Sequence, residues 1–127
     1  MKVSFDFDST LTIDTVQDFA RKLVEDGHEV WIVTQRFEFK DSSGNSVNNK
    51  WVFEIAEEVG IKRENIHFCN MRDKFHFFID KDFLFHLDDD IIDLDFIRTE
   101  TNVFPVWRDN RNDWKNQCKD LIRILSK

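Results

Sequence analysis

Short apolar segments alternate with amphipathic ones along this chain of 127 residues, and no other feature restricts the fold as strongly. Residues 2–7 form a run containing Val and Phe that predicts a strand. Residues 13–26 then carry apolar side chains at helical spacing, and Gly27 is placed to end that helix. The same alternation predicts further strands at 30–33, 66–69, 83–87 and 102–107, and further helices at 51–59, 72–80 and 113–125.

Strands that alternate with helices favour right-handed crossover connections and a parallel sheet covered on both faces. The sequence therefore predicts an α/β fold, in which one doubly wound, Rossmann-like parallel sheet of about five strands is flanked by helices. A chain of this length suffices for one compact core and is too short for two ordinary domains. We expect residues 1–127 to form a single domain.

Polar residues follow the predicted strands at the points where they end. Asp6 and Asp8 come at the end of the first strand, Thr34 follows the second, and residues 88–90, which are three aspartates, follow the fourth. Because the carboxyl ends of parallel strands lie at one edge of a sheet, these residues are expected to meet at a single rim. The pattern predicts a site rich in carboxylates there.

Composition excludes several classes of function. With 25 acidic against 18 basic residues and a net charge of -7, strong nucleic-acid binding is not expected, because it needs clustered Lys and Arg. No apolar run is long enough for a membrane span, and the N-terminus does not resemble a signal peptide. We therefore expect a cytoplasmic protein with no membrane-bound part.

Familiar nucleotide and metal motifs are also missing from the sequence. No GxxxxGK loop occurs, which argues against a P-loop nucleotide hydrolase. Cys69 and Cys118 form no CxxC pair, and the four histidines show no metal-ligand spacing. Neither a zinc site nor a disulfide framework is predicted.

The polar segments resemble, in order and across essentially the whole chain, the four motifs of the haloacid dehalogenase superfamily of phosphohydrolases. The first motif, Asp-x-Asp-x-Thr, is specific, whereas the other three are weak alone. In this chain they correspond to Asp6-Phe7-Asp8-Ser9-Thr10, Thr34 after the second strand, Lys74 before the fourth strand, and Asp88-Asp89 after it.

The resemblance implies a Mg²⁺-dependent phosphomonoester hydrolase with a covalent intermediate. Asp6 is expected to attack phosphorus in line and to form an aspartyl-phosphate. Asp8 is expected to protonate the leaving oxygen and then to deprotonate the attacking water, a role that calls for a raised pKa. A divalent cation is needed because an anionic nucleophile must approach an anionic phosphoryl group.

The same resemblance implies where the metal and the phosphate are held. Mg²⁺ prefers oxygen ligands in octahedral geometry. The expected ligands are Asp6, the main-chain carbonyl of Asp8, and Asp89, with Asp88 as the alternative acidic ligand. The expected phosphate donors are the Thr34 hydroxyl, the Lys74 ammonium and backbone N–H groups near Ser9 and Thr10.

Three assignments stay open at the level of sequence. Lys74 is favoured as the phosphate-binding cation, with Arg72 and Lys81 as nearby rivals. Asp90 is favoured as the N-cap of the helix that follows it. Arg36, on the long loop after the second strand, is either a ligand for another acidic group of the substrate or a solvated charge.

The spacing between motifs leaves no room for a cap domain. Only 25 residues separate Asp8 from Thr34 and 39 separate Thr34 from Lys74, and the predicted helices and strands occupy them. The chain resembles the capless branch, whose open site admits a phosphorylated protein, a nucleic-acid end or a nucleotide. For a small substrate, the loop at 35–47 or a second subunit would have to serve as a lid.

Two other classes of function remain. A receiver domain of the response-regulator kind is also doubly wound, but its phosphoacceptor ends the third strand, where this chain has Cys69 and Asn70. A non-catalytic phosphate-binding or interaction domain of phosphatase ancestry would be expected to have lost its nucleophile, whereas Asp6 and Asp8 are both present.

Overall fold

Five parallel strands form a single sheet in the computed structural model, which describes residues 1–125. Their bounds are β1 Lys2–Phe5, β2 Glu29–Thr34, β3 Ile66–Phe68, β4 Phe85–Asp88 and β5 Phe104–Trp107. Their order across the sheet is β3-β2-β1-β4-β5, so β1 is central and has β2 and β4 as its neighbours. The predicted α/β fold is confirmed, and within residues 1–125 no cap domain interrupts it.

Helices connect the strands and cover the sheet. Within the described residues they are α1 Asp14–Glu25, α2 Lys50–Val59, α3 Phe75–Phe78, α4 Ile91–Glu100 and α5 Trp114–Leu125, with a distorted turn at Phe7–Leu11 and a 3-10 turn at Arg63–Asn65. None of these helices is long and apolar enough to cross a membrane. Helix α2 ends at Gly60, whose φ of 96° lies in the left-handed region where glycine is favoured.

The helix predicted at 72–80 is much shorter in the structure, where α3 is a single turn. Ile79 is extended after that turn and Asp80 has a φ of 59°, so the chain leaves the helical path before the predicted end. The four consecutive aromatic residues Phe75-His76-Phe77-Phe78 form this turn. The turn toward β4 ends the predicted helix early because β4 must reach its place beside β1.

Two apolar cores lie on opposite faces of the sheet. Successive side chains of a strand point to opposite faces, and β1 therefore sends Val3 and Phe5 into the larger core and Ser4 to the other face. The larger core is covered by α1, α2 and α5. The smaller core contains buried residues of β2, α3 and α4: Val33, Phe78 and Ile97. The sheet therefore has one mainly apolar face and one face with polar side chains near its centre.

Phe5 is the residue with which we test the larger core. Its ring is fully buried and makes edge contacts with Phe19 and Phe85, at centroid distances of 6.3 and 6.0 Å. Phe5→Ala removes these contacts and leaves a cavity, so we expect the free energy of unfolding to fall by about 3–5 kcal/mol. Urea denaturation measures the change. Phe39→Ala is the matched control, because the Phe39 ring is exposed, and equal losses in both variants would contradict this description of the core.

Candidate active site

The polar strand ends meet in an open cleft, as the topology predicts. The cleft has a volume of about 210 Å³ and lies at the carboxyl ends of β1, β2 and β4. Its lining residues are Asp6, Asp8, Ser9, Thr34, Gln35, Arg36, Lys74, Asp88, Asp89, Asp90 and Asp93. All the residues predicted for the site except Thr10 therefore line one cleft.

A larger groove lies between α1 and α5, but its chemistry is different. It is mainly apolar, and its two carboxylates, Asp18 and Asp26, already pair with Arg21 and Lys22 at 2.9 and 2.6 Å. The cleft at the strand ends instead gathers six carboxylates around two cations. We therefore treat that cleft as the candidate active site.

Lys74 bridges the ends of the two neighbouring strands β1 and β4. Its Nζ donates to Asp6 Oδ1 at 2.7 Å and to Asp88 Oδ2 at 2.6 Å, and its side chain is only 2% exposed. The rival cations are placed elsewhere: Arg72 is exposed, and Lys81 donates to the carbonyl of Phe77. Of the three candidates, Lys74 is the cation that the fold brings into the cleft.

Burial and charge act unequally on the three partners of this bridge. Burial raises the pKa of Asp6 well above its usual range, against the opposing effect of Lys74. Burial opposes ionisation of Asp88 as well, but the hydrogen bond from His86 and the charge of Lys74 outweigh it and hold the pKa of Asp88 well below its usual range. For Lys74, the two carboxylates outweigh the effect of burial and raise the pKa. The ammonium is therefore charged, and Asp88 is its ionised partner.

Three carboxylates form a cluster of the kind that binds a hard cation. Oxygen atoms of Asp6, Asp88 and Asp89 all lie within 4.8 Å of one another. Asp88 is already engaged, because Oδ2 accepts from Lys74 and His86 and Oδ1 accepts from the backbone N–H of Asp90 at 3.0 Å. Asp89 is only partly buried, and one of its carboxylate oxygens lies within 4.8 Å of Asp6. Asp89 is thus the more available of the two acids for a metal.

Asp90 is the N-cap of α4, as predicted. Its carboxylate accepts from the backbone N–H groups of Ile92 and Asp93 at 2.9 and 3.3 Å. Such a cap satisfies two of the N–H groups that the first turn of a helix leaves without partners. Asp90 lines the cleft, but its side chain is occupied by the helix.

The turn after β1 gives its residues different surroundings. Thr10 is fully buried, and its hydroxyl donates to Asp6 Oδ2 at 3.3 Å, so its side chain orients Asp6 and does not face the cleft. Ser9 does line the cleft, with a φ of 58° in the left-handed region. The hydroxyl oxygen of Thr34 is also at the cleft and accepts from the backbone N–H of Arg36 at 3.2 Å.

Arg36 forms a two-bond ion pair with Asp8. Its Nε and Nη2 donate to the two carboxylate oxygens of Asp8 at 2.8 and 2.7 Å, and its Nη1 donates to Asn49 at 3.1 Å. The hydrogen bonds from Arg36 lower the pKa of Asp8. The sequence-based expectation of a raised pKa for Asp8 is therefore wrong for this arrangement. The alternative that Arg36 is only a solvated charge is wrong too.

Two cleft residues were missed by the sequence reasoning. Asp93 is 4% exposed, lies 3.9 Å from Lys74 Nζ and accepts from Gln35 Nε2 at 3.2 Å. Burial raises the pKa of Asp93 to about 6. A signal was available, because Asp93 precedes the buried Ile97 by four residues and therefore shares the inward face of the predicted helix. Gln35 has no such signal.

Comparisons with known proteins return no match, whether to a protein-family model, to a curated protein or to a solved structure. The geometry and charge of the cleft are therefore what support a function for this chain.

Lys74→Met tests the buried bridge. The substitution leaves Asp6 and Asp88 buried without their counter-charge, and we expect the free energy of unfolding to fall by about 3–5 kcal/mol at neutral pH. The loss is expected to shrink in acid, because a protonated carboxyl group does not need a counter-charge. Chemical denaturation at several pH values measures it. Lys22→Met, which removes an exposed helical ion pair, is the control and is expected to change stability little.

Arg36→Gln tests the outer ion pair. Without the guanidinium, we expect the pKa of Asp8 in the metal-free protein to rise toward that of an ordinary carboxyl group. In the wild type, the pair stabilises the fold above the pKa that Asp8 has in the unfolded chain, and this contribution is lost as the pH falls through the lowered pKa. Carboxyl ¹³C NMR follows the titration. Arg108→Gln is the control, because Arg108 donates to the Ser9 carbonyl and not to Asp8, and an unshifted Asp8 in Arg36→Gln would contradict the pairing.

Proposed function

We propose that this protein is a Mg²⁺-dependent phosphomonoester hydrolase of the haloacid dehalogenase type, with Asp6 as its nucleophile. The observation that carries the proposal is the buried Lys74, which joins Asp6 at the end of β1 to Asp88 on β4, beside the carboxylate of Asp89. Thr34 on β2 supplies a hydroxyl to the same cleft. The proposed nucleophile, a carboxylate for the metal and a phosphate-donating hydroxyl would thus lie at the ends of three adjacent strands, and Lys74, at the N-cap of α3, would be the second phosphate donor.

The donor set fits Mg²⁺. The ion prefers carboxylate and carbonyl oxygens, and the cluster of three carboxylates offers only oxygen. Asp6 and Asp89 would hold it, with the main-chain carbonyl of Asp8 as a third protein ligand and Asp88 as the acid behind them. Two carboxylates with oxygen atoms within 4.8 Å of each other repel when both are ionised, and a divalent cation removes that repulsion. When bound, it would neutralise charge on the phosphoryl group as the nucleophile approaches.

Asp6 would attack phosphorus with the oxygen that Lys74 does not hold. Lys74 fixes Oδ1 of Asp6, and the Thr10 hydroxyl contacts Oδ2 at a longer distance of 3.3 Å. A phosphate monoester placed against Thr34 and Lys74 would lose its alcohol and leave an aspartyl-phosphate on Asp6. Water would then release inorganic phosphate and restore the carboxylate. Fixed donors lower the barrier because they need no reorganisation during the reaction.

Asp8 would serve as the acid and base once Arg36 releases it. In the resting pair Asp8 is held ionised and has no proton to give to a leaving group. A phosphate group offers Arg36 an equally good two-bond partner, so substrate binding can separate the pair. Arg36 is half-buried and the Asp8 side chain is 52% exposed, which makes this exchange easier than breaking the Lys74 bridge. Asp8 could then take a proton and transfer it to the leaving oxygen.

The shape of the cleft bears on the class of substrate. The cleft is shallow and polar, and no cap covers it, which suits the phosphorylated end of a larger molecule, such as a protein, a nucleic-acid end or a nucleotide. Within the loop over 35–47, Lys40 and Ser46 form an antiparallel β-bridge, and the Phe37 and Phe39 rings of this loop are exposed. The two free, buried cysteines are compatible with a reducing, cytoplasmic compartment.

The strand order separates this proposal from a receiver domain. Doubly wound sheets of the flavodoxin and receiver type have the order 2-1-3-4-5, with the third strand beside the first. In this chain β3 is at the edge and pairs with β2. A phosphoacceptor at the end of β3 would therefore lie away from Asp6.

Asp6→Asn tests the proposed reaction. With Mg²⁺ and p-nitrophenyl phosphate, the wild type is expected to release nitrophenol and EDTA to abolish the release. Asp6→Asn removes the nucleophile and is expected to lower kcat by about a thousandfold or more. Asp80→Asn is the matched control, because Asp80 is exposed and belongs to a turn outside the cleft. An inert wild type, or an Asp6→Asn variant of equal activity, would rule out the mechanism.

A further inference from the structure

A chain of hydrogen bonds runs through the buried face of the sheet to the cleft. Ser4 Oγ lies 2.8 Å from His86 Nδ1, and His86 Nε2 lies 2.8 Å from Asp88 Oδ2. Lys74 Nζ donates to that same oxygen of Asp88 and also to Asp6 Oδ1. The side chains of Ser4, His86 and Asp88 are all fully buried.

The geometry of parallel strands explains this alignment. Ser4 on β1 and His86 on β4 are direct neighbours in register. Asp6 and Asp88 follow them by two residues, and residues two apart in a strand point to the same face. Two pairs of polar residues therefore lie next to each other on one face of the sheet. The pair of Ser4 and His86 is farther from the cleft and supports the pair of Asp6 and Asp88 at the cleft.

The set of Ser4, His86 and Asp88 is not a nucleophilic triad. Serine triads act through a hydroxyl that a substrate can reach. Ser4 is 0% exposed and lies within the central strand, under the smaller core, where Phe78 packs at 5.1 Å from the His86 ring. A substrate has no path to this hydroxyl. Ser4 and His86 can therefore affect the cleft only through Asp88 and Lys74.

The partners of His86 determine which nitrogen carries its proton. Asp88 Oδ2 accepts from the Lys74 ammonium at 2.6 Å and is therefore an acceptor toward His86 as well, so His86 Nε2 is the donor. Nδ1 then accepts from the Ser4 hydroxyl, for which the Phe85 carbonyl at 3.4 Å is a poorer alternative. An imidazole whose Nε2 donates and whose Nδ1 accepts is neutral.

We propose that neutral His86, held by Ser4, is a positioning residue of the active site. Its Nε2–H and the Lys74 ammonium share Asp88 Oδ2, so His86 fixes the carboxylate on which Lys74 rests and thereby the position of Lys74 beside Asp6. The catalytic consequence rests on the proposed phosphatase function. The position of Lys74 is independent of that function and can be measured without any enzymatic turnover.

The first test reads the two side chains directly by NMR in the metal-free protein. In ¹⁵N spectra at neutral pH, His86 is expected to be protonated at Nε2 and unprotonated at Nδ1. The buried ammonium of Lys74 is expected to give a slowly exchanging ¹⁵Nζ resonance. His86→Phe is expected to shift or abolish that resonance. His67→Phe is the control, because His67 stacks on Phe77 at 4.1 Å and has no bond to the cleft.

The second test separates positioning from a purely structural effect. His86→Phe is expected to lower kcat about 10- to 100-fold with little change in KM, as is usual for residues that orient a metal or active-site ligand. His86→Gln retains a donor and is expected to recover part of the loss. Ser4→Ala frees Nδ1 and is expected to have a smaller effect in the same direction, with little added when it is combined with His86→Phe. Ser4→Ala removes one atom and keeps the test available if His86→Phe does not fold.

Different outcomes overturn different statements. An Nδ1-protonated His86, or a Lys74 resonance unchanged in both His86→Phe and Ser4→Ala, would overturn the positioning role. Equal kinetics of the His86 and His67 variants in an active enzyme would overturn it as well. An inert wild type with the expected His86 and Lys74 spectra would contradict the phosphatase proposal alone.

Discussion

The buried ammonium of Lys74 is the constraint on which the rest of the molecule depends. Removing an ammonium from water costs several kcal/mol, and the cost is offset only when opposite charges and hydrogen bonds meet it in good geometry. Asp6 and Asp88 provide that geometry from adjacent strands, at 2.7 and 2.6 Å. The pairing of β1 with β4 at the centre of the sheet therefore also provides the two negative charges that balance Lys74 in the cleft.

The two cations of the cleft form ion pairs of different character. The inner pair of Lys74 with Asp88 is almost fully buried, so its charges are held in one place by the protein. The outer pair of Arg36 with Asp8 is partly exposed, and water and ions can compete for it. The protein therefore fixes its inner charges and leaves the outer pair open to exchange.

The polar face of the sheet explains why the smaller core is not purely apolar. Ser4 and His86 occupy central positions that Val or Leu would fill at lower cost of desolvation. Every buried side-chain nitrogen and oxygen of residues 1–125 nevertheless has a hydrogen-bond partner. A fully satisfied buried network is rigid, because each member restricts the next. Ser4 and His86 thus fix the position of Asp88, although apolar residues at the same two positions would be easier to bury.

Local sequence by itself determined the order of strands and helices, because periodicity and turn residues act over a few positions. It also determined which residues end the strands, and so predicted Asp6 and Thr34 for the cleft. Partnerships between distant residues were decided only by the tertiary structure. Arg36 lowers the pKa of Asp8 across 28 positions of sequence, and His86 on β4 is held by Ser4 on β1, 82 positions away. Neither follows from local pattern, because hydrogen bonding and burial depend on how separate segments pack.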